Sequence, residues 1–302
     1  MEKGKFKQDF AKFHDKNYKL LLLIPISFLI FGFIYMGVFY SQNNDFIHRD
    51  ISLTGGTSVT INDQTIKSAD LKNAISGRLE DVNIREVSDL VSQKQIAVIV
   101  ETKSDEQQTR TVLEDYLGYE LNDKSSSFEF TGSTLSQSFY KQLLIAILIA
   151  FALMALVVFL QFKSFIPSIA VVFCAFADIF FTLVVVNILG MQISSAGIVA
   201  LLMLIGYSVD TDILLTSKSI KRDTGTLNRR MFESFKTGIT MTLTSLLAVL
   251  AALLVIGSFS SVLSQIFTIM IIGLTFDLLN TWLTNVSIIK WYVLRKRKKH
   301  EA

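Results

Sequence analysis

Four aspartates stand inside stretches of sequence that otherwise contain no charged side chain. They are Asp178, Asp210, Asp212 and Asp277, and each is surrounded by aliphatic and aromatic residues. An acidic side chain at the centre of a bilayer costs about 2.5–3.5 kcal/mol on insertion scales, so each of these residues requires a specific reason. Loss of hydration favours the neutral form of a carboxyl group. Because a carboxyl that gains and loses a proton is the basic element of a proton relay, these aspartates are the first candidates for chemistry.

A structural role is the alternative for each aspartate. Four amide and hydroxyl side chains follow Asp277 at positions that neighbour it on a helix: Asn280, Thr281, Thr284 and Asn285. This spacing favours hydrogen bonding between helices for Asp277. For Asp178 the two roles stay equally open, and for Asp212 the structural role is favoured because we expect it near the cytoplasmic end, within reach of water. We expect no lysine or arginine inside the helices to neutralise any of the four.

The elements that position these residues are predicted membrane spans. The 302-residue chain is 51% hydrophobic with a mean hydropathy of +0.47, which is more apolar than an ordinary soluble domain. Its apolar residues fall in uncharged runs of roughly 20 residues, the length that crosses a bilayer. The sequence therefore predicts a polytopic α-helical membrane protein with six spans. The predicted spans cover residues 20–40, the segment between 141 and 163, residues 167–187, residues 194–217, and two further runs after 236 separated by a turn at 257–261.

The distribution of basic residues predicts the orientation of the spans. Lysine and arginine concentrate in residues 1–19, at Lys163, in the loop of residues 218–236 and in residues 295–302. Because short cytoplasmic segments retain such residues, we expect a plasma-membrane protein with both termini in the cytoplasm. The first span is too long for a cleavable signal core and is expected to remain as an anchor. The basic segments are expected mainly to set the orientation of the spans, with weak contact to anionic lipid or the ribosome as a minor role, and nucleic-acid binding is not expected.

A soluble, charged segment of residues 41–138 separates the first span from the membrane domain of residues 139–294. Its pattern predicts a strand over 51–61, a helix over 68–79, strands over 82–91 and 95–102, a helix over 105–117 and a short strand over 128–131. This β-α-β-β-α-β order is that of a ferredoxin-like α+β domain, here on the exported side.

Neither an enzymatic motif nor a cofactor motif is visible. There is no nucleophile elbow, phosphate loop, nicotinamide fingerprint or pair of catalytic carboxylates, so we expect neither an enzyme nor direct use of ATP. The single cysteine, Cys174, excludes an intrachain disulfide. The three histidines are scattered over different segments, so no metal site and no cofactor are expected.

Three motifs resemble those of a known family. The segment Gly206-Tyr207-Ser208-Val209-Asp210-Thr211-Asp212 resembles the fourth-helix signature of the SecD/SecF family of export membrane proteins. The turn Thr54-Gly55-Gly56-Thr57 is similar to the family's TGGT element, and Ala177-Asp178 to its His-Asp site. Together with the layout of one exported domain and five further helices, the resemblance covers essentially the whole chain. The variations from the bacterial pattern look like the archaeal form.

The resemblance implies a function and partners. The family belongs to the RND (resistance-nodulation-division) transporter superfamily, and it implies a machine, driven by the proton motive force, that acts on unfolded exported polypeptide together with the SecYE channel. Six helices are half of the superfamily's usual twelve, which implies a SecD-like membrane partner. The spacing of the fourth-helix motif matches that of SecD, and this alignment assigns the proton-relay role to Asp210. The SecD-like partner would supply the counter-charge that Asp210 lacks in this chain. The TGGT turn is either a hinge or a turn that requires positive φ.

Two other functions remain open. The chain could be a scaffold that stabilises SecD and the translocon without transporting protons, with its aspartates serving as interhelical hydrogen-bonding groups. It could also be an independent exporter of lipids or small molecules from the same superfamily, in which case a functional homodimer is expected.

Overall fold

Six long helices dominate the structure. The computed structural model describes residues 20–88, 94–122, 125–220, 226–256 and 260–301, apart from the side chains of residue 261 and of residues 297–301. Within these ranges, six helices are long and apolar enough to cross a membrane, which confirms the predicted number of spans. Spans 1 to 5 are Leu23–Asn43, Ser133–Phe162, Phe165–Ile188, Ser195–Ile220 and Leu227–Ile256. Span 6 comprises the helix Ser261–Asn280, a π-helical turn at Thr281–Asn285 and the helix Val286–Glu301.

The ends of the helices differ from the limits of the apolar runs. Span 2 begins at Ser133, inside the segment assigned to the exported domain, and span 5 begins at Leu227, inside the predicted basic loop. Span 6 continues through the predicted basic tail to Glu301. Hydropathy reports only what lies in hydrocarbon, whereas strong helix formers such as lysine, arginine and glutamate continue a helix into water. The predicted basic N-terminus and residues 257–259 of the predicted turn lie outside the described residues.

Two cationic residues lie buried in the spans, so the expectation that the helices contain no lysine or arginine is wrong. Arg230 in span 5 is 3% exposed, and Lys290 in span 6 is 2% exposed. Lys290 follows Asp277 by 13 residues, which is about 20 Å along a helix axis, so it lies well away from that carboxyl group.

The segment between spans 1 and 2 folds as an α+β domain. Its elements are α1 (Ile51–Thr54), β1 (Gly56–Ile61), α2 (Ser68–Ile75), β2 (Asn83–Ser88), β3 (Gln95–Thr102), α3 (Glu106–Leu117) and β4 (Ser126–Thr131). The four strands form an antiparallel sheet in the order β2-β3-β1-β4, which confirms the ferredoxin-like arrangement. Val59, Ile61, Val98 and Val100 are fully buried beneath α2 and α3. β2 ends at Ser88, and residues 89–91 of the predicted strand lie outside the described residues.

The predicted strand over 51–61 is wrong in its first third. Residues Ile51–Thr54 form the short helix α1, because the Asp50 carboxylate accepts a hydrogen bond from the Ser52 backbone N–H at 2.9 Å and caps its start. Gly55 and Gly56 then adopt φ values of 85° and 144°, so the turn does require positive φ. β1 starts at Gly56, directly after this turn.

The α+β domain is fastened to the loop between spans 3 and 4. The Asp50 backbone N–H donates to the Ile193 carbonyl at 3.0 Å, and the Ile193 N–H donates to the His48 carbonyl at 2.6 Å. Arg85 of β2 bridges the carboxylates of Asp50 and Glu101. Burial, together with the nearby charge of Asp50, raises the pKa of Glu101 above its ordinary value despite the Arg85 guanidinium. The domain and the ends of two spans are therefore joined by backbone and side-chain hydrogen bonds.

A substitution at Gly56 tests this close packing. A Cβ atom there would overlap the Thr102 carbonyl oxygen, and φ is positive. We expect Gly56→Ala to destabilise the full-length protein by about 2 kcal/mol or more, since strain and overlap add. Thermal unfolding in detergent measures the effect. Gly77→Ala is the matched control, because no atom in the described part of the chain would lie within 4 Å of the added Cβ atom. Equal unfolding temperatures for the two variants would contradict the packing described here.

Candidate functional site: buried carboxyl groups in the helix bundle

Asp178 joins spans 3, 4 and 6. It lies in the middle of span 3 and is fully buried. Ser208 Oγ of span 4 donates to Asp178 Oδ2 at 2.6 Å, and Asn280 Nδ2 of span 6 donates to Asp178 Oδ1 at 2.6 Å. Each carboxylate oxygen thus receives one hydrogen bond from a different helix.

Asp212 and Asp277 form the adjacent part of the same buried region. Asp212 Oδ1 accepts from Thr281 Oγ1 at 3.0 Å and from Asn285 Nδ2 at 2.7 Å. Thr281 Oγ1 also lies 3.3 Å from Asp277 Oδ1. A hydroxyl group has one proton to donate, so Thr281 can serve only one of these two carboxyl groups at a time. Both aspartates are fully buried, which corrects the expectation that Asp212 lies near water.

Helical spacing brings these side chains onto common faces. Ser208 and Asp212 are four residues apart on span 4, and Asp277, Thr281 and Asn285 follow one another at the same interval on span 6. The π-helical turn at Thr281–Asn285 falls at this level of span 6, and such turns occur frequently at functional sites. We call Asp178, Asp212, Asp277 and their donors Ser208, Asn280, Thr281 and Asn285 the carboxyl cluster.

The carboxyl cluster contains more acceptors than donors. The hydrogen bonds described above come from hydroxyl and carboxamide groups, which carry no charge. Asp212 Oδ2, Asp277 Oδ2 and Asn285 Oδ1 are buried and have no hydrogen-bond partner among the described residues. Since buried acceptors are normally satisfied, the cluster requires protons on its carboxyl groups or water beside them. A set of neighbouring carboxyls that share hydroxyl donors can hold a proton and pass it on.

The arrangement does not fit a bound metal ion. Among the described residues, no group of three or more histidine, cysteine, aspartate or glutamate side chains is placed to ligate a metal. The three aspartates approach shared hydroxyl and amide groups instead of one common point. The chemistry that this geometry supports is therefore proton holding and hydrogen bonding.

Asp210 lies apart from the carboxyl cluster. It is exposed on the outer face of span 4, beside Tyr207, which is 45% exposed, and Met203, which is 44% exposed. Gly206 lies on the same face, and no atom of the described residues would lie within 4 Å of a Cβ atom added there. The structure thus divides the Gly206–Asp212 motif: Ser208 and Asp212 point into the bundle, whereas Gly206, Tyr207 and Asp210 point out of it.

The TGGT turn lies outside the membrane core. Gly55 packs against span 2, where its Cβ position is 2.5 Å from Ser133 Cα, and Thr57 Oγ1 donates to the Ser104 carbonyl at 2.8 Å. Thr54, Gly55 and Gly56 line a cavity of about 400 Å³ between the domain and the start of span 2. The turn belongs to the junction of the domain with the spans, well away from the aspartates.

Comparison with known proteins gives the same layout. The family "Protein export membrane protein SecD/SecF, C-terminal" matches residues 112–295. The protein-export membrane protein SecF of Methanocaldococcus jannaschii is 36% identical over 94% of this chain and 99% of its own length. SecF of Pyrococcus furiosus is 33% identical, with 93% of each chain covered. The crystal structure of SecDF from Thermus thermophilus, a translocon-associated membrane protein, superposes with a TM-score of 0.71 at 18% identity. That match covers 91% of this chain and 38% of the SecDF chain.

Fold and site together define a class: a six-span membrane protein with a ferredoxin-like domain after its first span and ionisable groups in its bundle core. The family comparison makes the class specific. The chain belongs to the SecD/SecF family of protein-export membrane proteins.

Removing the Asp178 carboxylate tests the carboxyl cluster. Asp178→Leu leaves the Ser208 hydroxyl and the Asn280 amide buried without their acceptor, which costs about 1–3 kcal/mol for each group. We expect a clear fall in the unfolding temperature of the full-length protein in detergent. Asp178→Asn retains one acceptor and should fall less. Asp210→Leu is the control on the outer face and should leave the stability of the isolated chain unchanged. Equal unfolding temperatures for Asp178→Leu and Asp210→Leu would contradict the hydrogen bonding described for Asp178.

Proposed function

We propose that the chain is a SecF-like accessory subunit of the Sec protein translocase, which acts with a SecD-like membrane protein and the SecYE channel to promote polypeptide export. The observation that carries this proposal is similarity over nearly the full length of both chains to proteins named protein-export membrane protein SecF. In this proposal the role is not enzymatic. The α+β domain lies on the outside, where unfolded polypeptide emerges, and both termini lie in the cytoplasm, where their basic residues contact anionic lipid.

The outer face of span 4 supports the proposal of a membrane partner. An aspartate on a face that would otherwise meet lipid is costly unless a second protein supplies donors or a counter-charge. Gly206 beside it offers a surface without a side chain, and small residues allow two membrane helices to approach closely. The fold of this chain occupies 38% of the length of SecDF, which leaves the rest of that chain for other parts of the assembly. We propose that the SecD-like protein binds at this face.

We further propose that this protein couples polypeptide export to the proton motive force. Asp210 faces the partner and exchanges its proton at that interface, while the carboxyl cluster supplies a second group of titratable side chains within the bundle. The cluster supports this role because its acceptors exceed its donors. The scaffold alternative assigns the same aspartates to hydrogen bonding alone.

A bulky residue at Gly206 tests the partner surface. Gly206 has open space around it in this chain, so Gly206→Leu should leave the unfolding temperature of the purified subunit unchanged. It should abolish co-purification with the SecD-like partner, because the added side chain separates the two helices. Gly37→Leu in span 1 is the matched control, since its Cβ position is equally open, and it should retain the partner. Normal co-purification of Gly206→Leu would place the partner elsewhere. A stable, active oligomer purified without any SecD would favour the exporter alternative.

The charge of Asp210 tests proton coupling. We expect Asp210→Asn to lose the stimulation of export by a proton gradient in vesicles reconstituted with the full complex, by about tenfold or more if the carboxyl group relays the proton. Asp210→Glu should retain part of it. Asp105→Asn, a cap residue of α3 in the exported domain, is the control for an acidic residue outside the membrane. Unchanged gradient dependence in Asp210→Asn would leave the scaffold role as the better account.

A further inference from the structure

The two edges of the sheet in the α+β domain differ. In the strand order β2-β3-β1-β4, the edge strands are β2 and β4. The pairing of β2 with β3 shifts at Val87 and Ser88, and Arg85 and Glu86 add two charges to β2. Irregular pairing, charged side chains and prolines protect edge strands from further pairing. β4 pairs with β1 without a shift in register, and it contains neither proline nor a basic residue, so its edge is the less protected one.

The ladder between β1 and β4 shows which backbone groups of β4 point outward. The Asn62 N–H donates to the Ser125 carbonyl at 2.9 Å, one position beyond the paired residues of the two strands. Because bonding alternates along an antiparallel ladder, the N–H and C=O groups of Ser127 point toward β1, whereas those of Phe128 and Phe130 point away from it. Within the described parts of the chain, the outward groups of these two phenylalanines have no hydrogen-bond partner.

The side chains of the same two residues lie on the face of the sheet that the helices cover. Phe128 lies opposite the buried Val59 in the register and packs against the core of the domain. The Arg110 guanidinium of α3 lies over the Phe128 ring, 4.0 Å from its centroid. Phe130 is two residues further along, so it points to the same face, and it is 57% exposed. The edge of β4 is therefore bordered by α3 and by two aromatic rings.

Two cavities open along this edge, one beside each half of β4. The first has a volume of about 360 Å³ and is lined by Glu106, Arg110, Asn122, Ser126, Ser127 and Phe128. The second is the cavity of about 400 Å³ beside the TGGT turn, and Asp105, Phe130 and Thr131 form part of its wall. Every second side chain of an added strand would point to the side of these cavities. Main-chain bonds to a sheet edge, combined with pockets for alternate side chains, are a known mode of recognising extended peptides.

The charge around this edge is negative. Among the described residues, β4, the two cavity linings and the ion pairs of those linings contribute five carboxylates and three cations, which are Asp45, Asp81, Asp105, Glu106 and Glu129 against Arg49, Lys103 and Arg110. Each of the three cations is paired with one of these carboxylates. The remaining excess of negative charge complements a segment that carries lysine or arginine.

We propose that the outer edge of β4 binds an extended, unfolded polypeptide segment of net positive charge, which adds to the sheet as a fifth strand. Backbone groups of the segment pair with the N–H and C=O groups of Phe128 and Phe130, so the contact does not depend on one particular sequence. Alternate side chains of the segment occupy the two cavities. That the segment belongs to an exported protein rests on the proposed function, whereas strand addition rests on the geometry of β4.

Peptide binding to the purified full-length protein in detergent tests this site. The probe is a fluorescently labelled peptide of alternating valine and lysine residues, and fluorescence anisotropy measures its binding. Phe130→Pro removes an outward N–H but no hydrogen bond to β1, and Phe130→Ala is the matched control that keeps this N–H. We expect the proline variant to bind the peptide at least about tenfold more weakly than the alanine variant, because a hydrogen bond is lost and the ring obstructs the added strand. A valine–glutamate peptide should also bind the unaltered protein at least about tenfold more weakly.

Backbone methylation of the peptide gives a test that needs no protein variant. An added strand uses the N–H groups of alternate residues to pair with β4. Of two peptides, one N-methylated at its valines and the other at its lysines, only one should therefore lose binding to the unaltered protein.

Several outcomes would overturn the proposal. Equal affinities of Phe130→Pro and Phe130→Ala, with unfolding temperatures like that of the unaltered protein, would do so, and so would unchanged binding of both methylated peptides. A chain that is dimeric, and that Phe130→Pro makes monomeric, would assign the edge to a second copy instead. Loss of peptide binding on addition of the SecD-like partner would assign it to that partner. The assay involves no export, so a failure of the proposed export function would be detected separately.

Discussion

The bundle is organised by the need to satisfy carboxyl groups where water is scarce. Asp178, Asp212 and Asp277 are fully buried, and their hydrogen bonds come from neutral hydroxyl and amide groups on spans 4 and 6. Neutral donors stabilise a carboxylate less than a cation does, so some of these groups are best accommodated in protonated form. The positions of Ser208, Asn280, Thr281 and Asn285, and hence the rotation of three helices about their axes, follow from this requirement.

The same helices connect the membrane core with the α+β domain. Spans 3 and 4 carry Asp178 and Asp212, and the loop between them pairs with the chain segment that enters the domain, through Ile193, His48 and Asp50. On the domain side, Asn83 of β2 donates to Gln192 at 3.0 Å. Spans 3 and 4 therefore link the carboxyl cluster to the domain directly. Gly55 of the TGGT turn packs closely against Ser133 at the start of span 2, and Gly56 packs against Thr102 within the domain.

Much of the architecture could be predicted from sequence, because hydrocarbon thickness fixes the length of uncharged runs and turn residues separate the strands. The ends of the helices could not be predicted in this way, because lysine and arginine continue a helix beyond the apolar run, as in span 6. The prediction of the first strand was wrong for residues 51–54, because the Asp50 side chain caps the start of a short helix there through a local hydrogen bond. The sequence identifies the four aspartates, but it does not predict that three of them are buried together while Asp210 lies on the exposed side of span 4. Asp210 and Asp212 are two residues apart and point to opposite sides of one helix, and a helix apolar on nearly all sides does not reveal which side faces the core.

Infrared spectroscopy of the full-length protein in lipid tests the central claim most directly, because the carbonyl stretch of a neutral carboxyl group is distinct from the bands of a carboxylate. We expect a neutral-carboxyl band at neutral pH that loses intensity in Asp178→Asn, Asp212→Asn or Asp277→Asn, and that persists in Asp105→Asn, whose exposed carboxylate caps α3 of the α+β domain. A spectrum without that band at neutral pH would show that all three buried aspartates are ionised, and it would contradict the account.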